Sequence, residues 1–376
     1  MNKIKVLQCF GSLNIGGAET LMMNLLSKFD LEKFQIDFLV FNSSSGVYEK
    51  DILKYGCNIY RLSSVSEVGI IRYIRSIEKL IINNGGYDVV HTHMDWLGGF
   101  ISYAAYKAGV NRRIVHSHAI QGMFDSNLLK HFSISISKIL IKKYATDCIA
   151  CSTAAAKSLF LGEKFTILKN AVDLDRLNLI SDEKISKLKN HYKIKNEMII
   201  LGNIGSMSEN KNQIFLIKIL EKLNEVNRKY VLFLVGNGPE EEKIKQYVID
   251  RGIDDIYFEN TTLHINYFLS LFDIFLFPSY NEGFGMIALE AQAMGLPCII
   301  SNGIPEEIDI SADLIERCTT FSINEWKQKI EKCKCKKRDL NKIRELIIQK
   351  GYDIESCTDI LQKIYEGDLS DGRNEG

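Results

Sequence analysis

The chain has 376 residues, with 47 basic and 47 acidic side chains, so its formal net charge is zero. It is 46% hydrophobic and 25% charged, with 26 Gly but only 4 Pro. That apolar content excludes a disordered protein, and the few prolines exclude collagen-like material. The neutral balance argues against a dedicated nucleic-acid binder, which needs an excess of Lys and Arg.

At about 150 residues per domain, the length predicts two domains, each large enough to bury its own core. In chain order, β-rich runs at residues 4–10, 35–41, 57–62, 88–91, 113–117, 147–150 and 165–168 alternate with helical stretches, beginning with a helix over 17–28. After a break near 170–179 the alternation restarts, with strands at 198–203, 230–235, 256–258, 273–277 and 298–301. Helical patterns at 324–333, 339–350 and 354–365 close the chain, and 367–376 has the composition of a frayed, disordered tail. Val231-Leu232-Phe233-Leu234-Val235 and Ile274-Phe275-Leu276-Phe277 are continuously apolar, the mark of a parallel sheet covered on both faces. The predicted fold class is therefore α/β: two doubly wound, Rossmann-like parallel-sheet domains, 1–175 and 176–366, facing an interdomain cleft. The last helix is able to pack back on the first domain.

The N-terminal residues predict no secretory leader, and no run reaches the ~18–20 apolar residues of a spanning helix. Nine cysteines, an odd number, read as reduced thiols. The close pairs Cys148/Cys151 and Cys333/Cys335 have no second pair at zinc spacing. The expected location is the cytoplasm, or the inner face of the cell membrane.

Ligands of open parallel sheets sit beyond the carboxyl ends of the strands, so the loops there carry the chemistry. The first strand ends in a loop that reaches Gly16-Gly17-Ala18-Glu19. Adjacent glycines at a helix start let backbone N–H groups approach an anion, although a plain tight turn reads the same way. The fingerprint G-x-G-x-x-G is absent, which weakens a dehydrogenase reading. His91 and His93 end one strand, and His116 and His118 end the next, so four of the seven histidines point to a cleft role. No carboxylate or further His is spaced to complete a metal site, so no metal is expected.

In the second half, a strand leads through Gly205 and Ser206 to Lys211, predicted in the first turn of a helix. A cation there opposes the helix dipole and calls for an anionic partner. A later strand runs into Pro278-Ser279-Tyr280-Asn281-Glu282-Gly283-Phe284-Gly285, which opens a helix carrying Glu290. Two carboxylates eight residues apart, one in the loop and one two turns on, suit sugar hydroxyls, while the N–H groups between them suit phosphate.

These motifs together resemble the retaining glycosyltransferases of family 4, of GT-B fold, over nearly the whole chain. The pattern Glu-x7-Glu stands as Glu282 to Glu290, with Gly16 to Glu19, His116 to His118, Asn170 to Asp173 and Gly236 to Pro239 also fitting. The look is that of bacterial enzymes of exopolysaccharide, capsule or O-antigen assembly. The resemblance implies a nucleoside-diphosphate sugar as donor, most readily a UDP-sugar, and a glycan or polyprenyl-linked acceptor, with no cofactor. It implies that Glu290 binds ribose hydroxyls and that Glu282, with the N–H groups of Gly283, Phe284 and Gly285, binds the transferred sugar. Gly16, Gly17, Gly205, Ser206 and Lys211 would line the diphosphate, His118 would stand beside the reacting sugar, and His91, His93 and Asn170 would line the acceptor side. One position departs: the family's usual Arg before the Lys is Ser206 here, and loss of such a charge-assisted contact costs on the order of 2–3 kcal/mol. Two other readings therefore stay open, a non-catalytic partner subunit of another transferase and a sugar-nucleotide epimerase.

Residues 126–145 read as an amphipathic helix, either packed on the core or lying at an anionic membrane surface. Residues 1–177 hold 21 basic and 15 acidic side chains and the remainder 26 and 32, so neutrality is a cancellation of +6 and −6. The basic half is the one expected to meet a phosphorylated lipid carrier.

Overall fold

The computed structural model describes residues 3–119, 128–225, 229–333 and 339–368. The chain forms two compact units, one of Met1–Ala171 with Ile354–Gly376, the other of Val172–Asp353. The predicted boundary at 175 thus falls inside the second unit, and the last helix belongs to the first. The bulk of the predicted tail, residues 369–376, lies outside the described residues.

In unit 1 the strands are β1 (Ile4–Phe10), β2 (Phe34–Val40), β3 (Ile59–Arg61), β4 (Val89–Thr92), β5 (Arg112–Ser117), β6 (Asp147–Ala150) and β7 (Thr166–Ile167). They form one parallel sheet in the order β3-β2-β1-β4-β5-β6-β7. Its helices are α1 (Gly17–Leu26), α2 (Glu49–Lys54), α3 (Val65–Asn83), α4 (Gly98–Lys107), α5 (Leu128–Tyr144) and α6 (Thr153–Leu159). The sequence order reverses between β1 and β4, the kind of switch point beside which open parallel sheets bind their ligands.

Unit 2 repeats the plan with α7 (Asp182–His191), β8 (Ile199–Ile204), α8 (Gln213–Leu223), β9 (Tyr230–Val235), α9 (Glu241–Arg251), β10 (Ile256–Glu259), α10 (Ile265–Leu271), β11 (Ile274–Phe277), α11 (Met286–Ala293), β12 (Cys298–Ser301), β13 (Ile315–Cys318), α12 (Ile323–Lys332) and α13 (Leu340–Gln349). Its parallel sheet runs β10-β9-β8-β11-β12-β13, with the switch point between β8 and β11. The final helix, α14 (Ile354–Glu366), packs in unit 1.

The apolar strands behave as their composition demands. All six residues of β9 and all four of β11 are buried, and each large side chain withdrawn from water contributes about 1.5–3 kcal/mol. β13 escapes the sequence reading for a physical reason. It is an edge strand, paired only with β12, so Glu316 and Arg317 can sit in it, and its sequence lacks the apolar run of a central strand.

The predicted amphipathic helix is α5, with residues 126–127 and the side chains of 128–130 outside the described residues. Ile141 is buried, and Ile136 and Leu140 pack on the unit 1 core. The opposite face exposes Phe132 by 67% and Ile139 by 60%. Among the described residues, no helix is long and apolar enough to cross a membrane.

Candidate active site

Each unit gathers its candidate residues at the carboxyl ends of the strands flanking its switch point. In unit 2, β8 leads into a loop whose residues 209–211 form a single 3-10 turn; α8 begins only at Gln213. Lys211 therefore precedes the helix rather than lying in its first turn, because Asn212 adopts a left-handed conformation (φ 53°) that breaks the run. The anionic partner its position calls for is Glu282, whose Oε1 lies 2.6 Å from Lys211 Nζ. Lys211 Nζ also stands 4.9 Å from the centre of the Phe277 ring. With the two side chains only 19% and 14% exposed, this pair is shielded from solvent far better than an ordinary surface salt bridge.

Backbone geometry fixes the pair. Asn210 Nδ2 donates to Asn281 O at 2.7 Å, and Tyr280 N donates to Asn210 O at 2.8 Å, joining the loop after β8 to the loop after β11. Glu282 N donates to Gly303 O at 3.0 Å, tying the second loop to the one after β12. Gly285 caps α11 at φ 96°, where a Cβ would stand 2.9 Å from the Phe277 ring. At Gly236 (φ 137°) a Cβ would fall 2.2 Å from the Gly205 carbonyl oxygen, so the loops after β8 and β9 close up only around glycine.

Glu290, in the second turn of α11, is 8% exposed. Burial pushes its carboxyl up to about 8, with Arg176 pulling the other way. Ser206 is exposed and carries a neutral hydroxyl. The Phe284 side chain is 2% exposed and packs on Tyr352, ring centres 5.6 Å apart, so it is a core residue, and only its backbone remains to serve a ligand beside Gly283 and Gly285.

In unit 1, Gly16 caps α1 in an extended conformation and Gly17 is its first helical residue. The carboxyl of Glu19 folds back over this helix start, and a Cβ on Gly16 would lie 2.3 Å from Glu19 Oε2. Burial pushes the Glu19 carboxyl up to about 7, its own backbone opposing and Asp95 adding to the rise. The helix start is thus shared with a carboxyl of the chain itself, and an incoming anion is tolerated best when Glu19 carries its proton.

The four histidines come together. His91 and His93 project from β4 and its end, His116 and His118 from β5 and its end, and adjacent ring centres lie 3.9–5.4 Å apart. His93 Nδ1 is 2.8 Å from His118 Nε2, and His93 Nε2 is 3.0 Å from Gln8 Oε1. His91 Nδ1 is 2.7 Å from the Tyr365 hydroxyl, which also accepts a 2.6 Å hydrogen bond from Gln8 Nε2. Burial holds His91 and His118 down to about 3, and His93 and His116 well below the ordinary imidazole value. All four rings are neutral at physiological pH.

His91, His93 and His116 bring one ring nitrogen each within 4.8 Å of one another, which makes them the set among the described residues that could hold a metal ion. Against that, both nitrogens of His93 are already spent on Gln8 and His118. Asn170 is buried, its Oδ1 without a hydrogen-bond partner among the described residues.

Several participants escape the sequence reading. Asp95, at φ 45°, accepts the backbone N–H of His118 at 2.8 Å and of Ala119 at 3.3 Å. Gln8 was detectable, as a polar residue inside an apolar buried strand, and such groups are normally hydrogen-bonded. Tyr365 carried no local signal.

Two doubly wound parallel-sheet domains with charged groups gathered at the strand ends define the GT-B fold. The chain matches the family model Glycosyltransferase Family 4 over residues 15–176 and the model Glycosyl transferases group 1 over residues 184–350. It is 32% identical to EpsF of Bacillus subtilis (strain 168), assigned as a glycosyltransferase, over 96% of both chains. It is 24% identical to the capsular polysaccharide biosynthesis glycosyltransferase CapH of Staphylococcus aureus, over 96% of this chain and 98% of CapH. In structure it is similar to Anabaena Alr3699/HepE, crystallised with UDP and glucose, with a TM-score of 0.78 at 16% identity over 96% of this chain and 99% of HepE. The chain belongs to the family 4 glycosyltransferases.

Proposed function

We propose that the chain transfers a sugar, with retention, from a nucleoside-diphosphate sugar to a glycan or polyprenyl-linked acceptor in the assembly of a bacterial surface polysaccharide. The observation that carries this reading is the shielded Lys211–Glu282 pair one loop away from the buried Glu290. Glu290 serves the ribose hydroxyls, Glu282 the hydroxyls of the transferred sugar, and Lys211 the diphosphate. Cleaving the anomeric bond leaves positive charge on the sugar and negative charge on the departing diphosphate, which a fixed cation and N–H donors at a helix start stabilise. The acceptor's proton goes to the leaving phosphate, so no separate base and no metal ion enters the scheme. His118 stands by the reacting sugar. UDP is the favoured nucleotide because HepE was crystallised with it, and the polysaccharide setting rests on the name of CapH.

Ser206 offers a direct check. Ser206→Arg should tighten donor binding roughly tenfold or more, because a bidentate guanidinium contact replaces a hydroxyl. Calorimetric titration of both proteins with UDP-glucose measures it. A wild type that binds donor without turnover, while Ser206→Arg turns over, would instead assign the natural chain as a non-catalytic partner. Turnover of donor with no acceptor requirement would assign an epimerase.

The exposed Phe132 and Ile139 on α5, with Lys142 and Lys143 in its last turn, fit a peripheral contact with anionic lipid, placing the enzyme at the inner membrane face. In liposome flotation, recovery should rise with anionic lipid content and fall with added salt. Equal recovery on neutral and anionic vesicles would remove the electrostatic contact.

A further inference from the structure

We propose that Gln8 and Tyr365 are positioning residues that set the tautomer of His118, through a one-directional hydrogen-bond relay that keeps the proton on His118 Nε2 and leaves Nδ1 as the bare nitrogen. The proposal rests on the reading that His118 serves the reacting sugar.

The polarity follows bond by bond. Gln8 stands in the middle of β1, fully buried, and its Nε2 donates to the Tyr365 hydroxyl oxygen at 2.6 Å. The amide's other end, Oε1, is then an acceptor, so His93 Nε2, 3.0 Å away, carries a proton. A neutral imidazole has one proton, which leaves His93 Nδ1 as a lone pair. His118 Nε2, 2.8 Å from that lone pair, must therefore donate, and His118 Nδ1 is left bare. The Tyr365 hydroxyl hydrogen goes to His91 Nδ1 at 2.7 Å. Turning the Gln8 amide over would invert each of these bonds in concert, so one amide and one phenol decide which His118 nitrogen can accept from a substrate hydroxyl.

Three features support a positioning role rather than incidental packing. The rings stay neutral across the physiological range, His118 being held down to about 3 by burial, so the variable is proton position rather than charge. Asp95 fixes the backbone of His118 through the 2.8 Å bond to its N–H. Tyr365 itself packs against Phe29 and Phe34, with ring centres 5.9 and 6.1 Å away, so its hydroxyl is a rigid reference point delivered to the sheet by α14.

The test uses full-length protein with ring-15N-labelled histidine and no substrate, reading which nitrogen of His118 is pyrrole-type and which pyridine-type. Wild type should show a single form protonated at Nε2. Gln8→Leu removes the acceptor that His93 needs and should move the His118 proton to Nδ1. Tyr365→Phe frees the Gln8 amide to turn and should give both forms. Where donor turnover is measurable, Gln8→Leu should lower kcat roughly tenfold with donor KM nearly unchanged, the signature of a lost transition-state contact. A wild-type His118 protonated at Nδ1, or a tautomer indifferent to both substitutions in folded protein, would overturn the proposal. An Nε2-protonated His118 in a protein that turns over no nucleotide sugar would support the relay while removing the functional reading.

Discussion

Replacing Glu290 by Gln should sharply weaken nucleotide-sugar binding and, at the same time, stabilise the unliganded protein at alkaline pH. The two effects share one cause. Glu290 is buried on α11, and its carboxyl is raised from 4.5 to about 8, so the folded protein holds this proton more tightly than the unfolded chain does. Stability from such a group is fully present below about 4.5, falls as pH climbs towards 8, and is flat above it. At about 1.4 kcal/mol per unit, the shift sets a ceiling on the order of 5 kcal/mol on what the ionised carboxyl costs the fold. Gln fills the same space without a charge to desolvate. Thermal unfolding should therefore show the variant several degrees more stable than wild type near pH 8.5, with little difference near pH 4. Binding should move oppositely. A carboxylate accepts from both ribose hydroxyls, whereas an amide offers one acceptor, so affinity for UDP should drop by about 50-fold or more. Wild-type affinity should strengthen as pH rises from 6.5 towards 8, because the carboxyl must shed its proton to accept both bonds. A pH-independent affinity, or a variant no more stable than wild type at alkaline pH, would contradict this account of Glu290.

The second large effect concerns the Lys211–Glu282 pair. Lys211→Met should reduce kcat/KM by about 10³-fold, as loss of a fixed charge at a developing anion does elsewhere, and should also destabilise the fold. The partner carboxylate at 2.6 Å would be left shielded from solvent without its cation, which costs about 1–3 kcal/mol. The double variant Lys211→Met, Glu282→Gln should recover most of that stability and none of the activity. Denaturant unfolding of the two singles and the double closes the cycle, and additive losses would show that the pair is not coupled.

Much of this was legible in the chain. The continuously apolar β9 and β11 announced a covered parallel sheet, and the loops after β8 and β11 carried polar residues in a framework of glycines that only a ligand site or a tight turn requires. The Glu282 to Glu290 spacing was readable because both residues lie on one loop-helix unit, where sequence distance converts directly into geometry. What depended on long-range packing was not readable. Lys211 reads as a cation that calls for an anionic partner, but which one does not show locally, since Glu282 is 71 residues away in sequence. Nothing local in the sequence shows that the Phe284 ring packs on Tyr352. Four histidines could be placed at two strand ends, but Tyr365, 274 residues beyond His91, reaches them only because the last helix returns to the first unit. The β13 edge strand was missed because an edge needs no apolar run.

Unit 2 is expected to bind a nucleoside-diphosphate sugar through Lys211, Glu282 and Glu290. Calorimetric titration of the full-length protein with UDP-, GDP- and ADP-sugars near pH 8 tests it most directly, with Glu290→Gln as the paired control. Saturable one-to-one binding of at least one of these donors, UDP-sugars first, and its loss in the variant are the expected result. No heat of binding with any of them, or equal binding by wild type and Glu290→Gln, would contradict it.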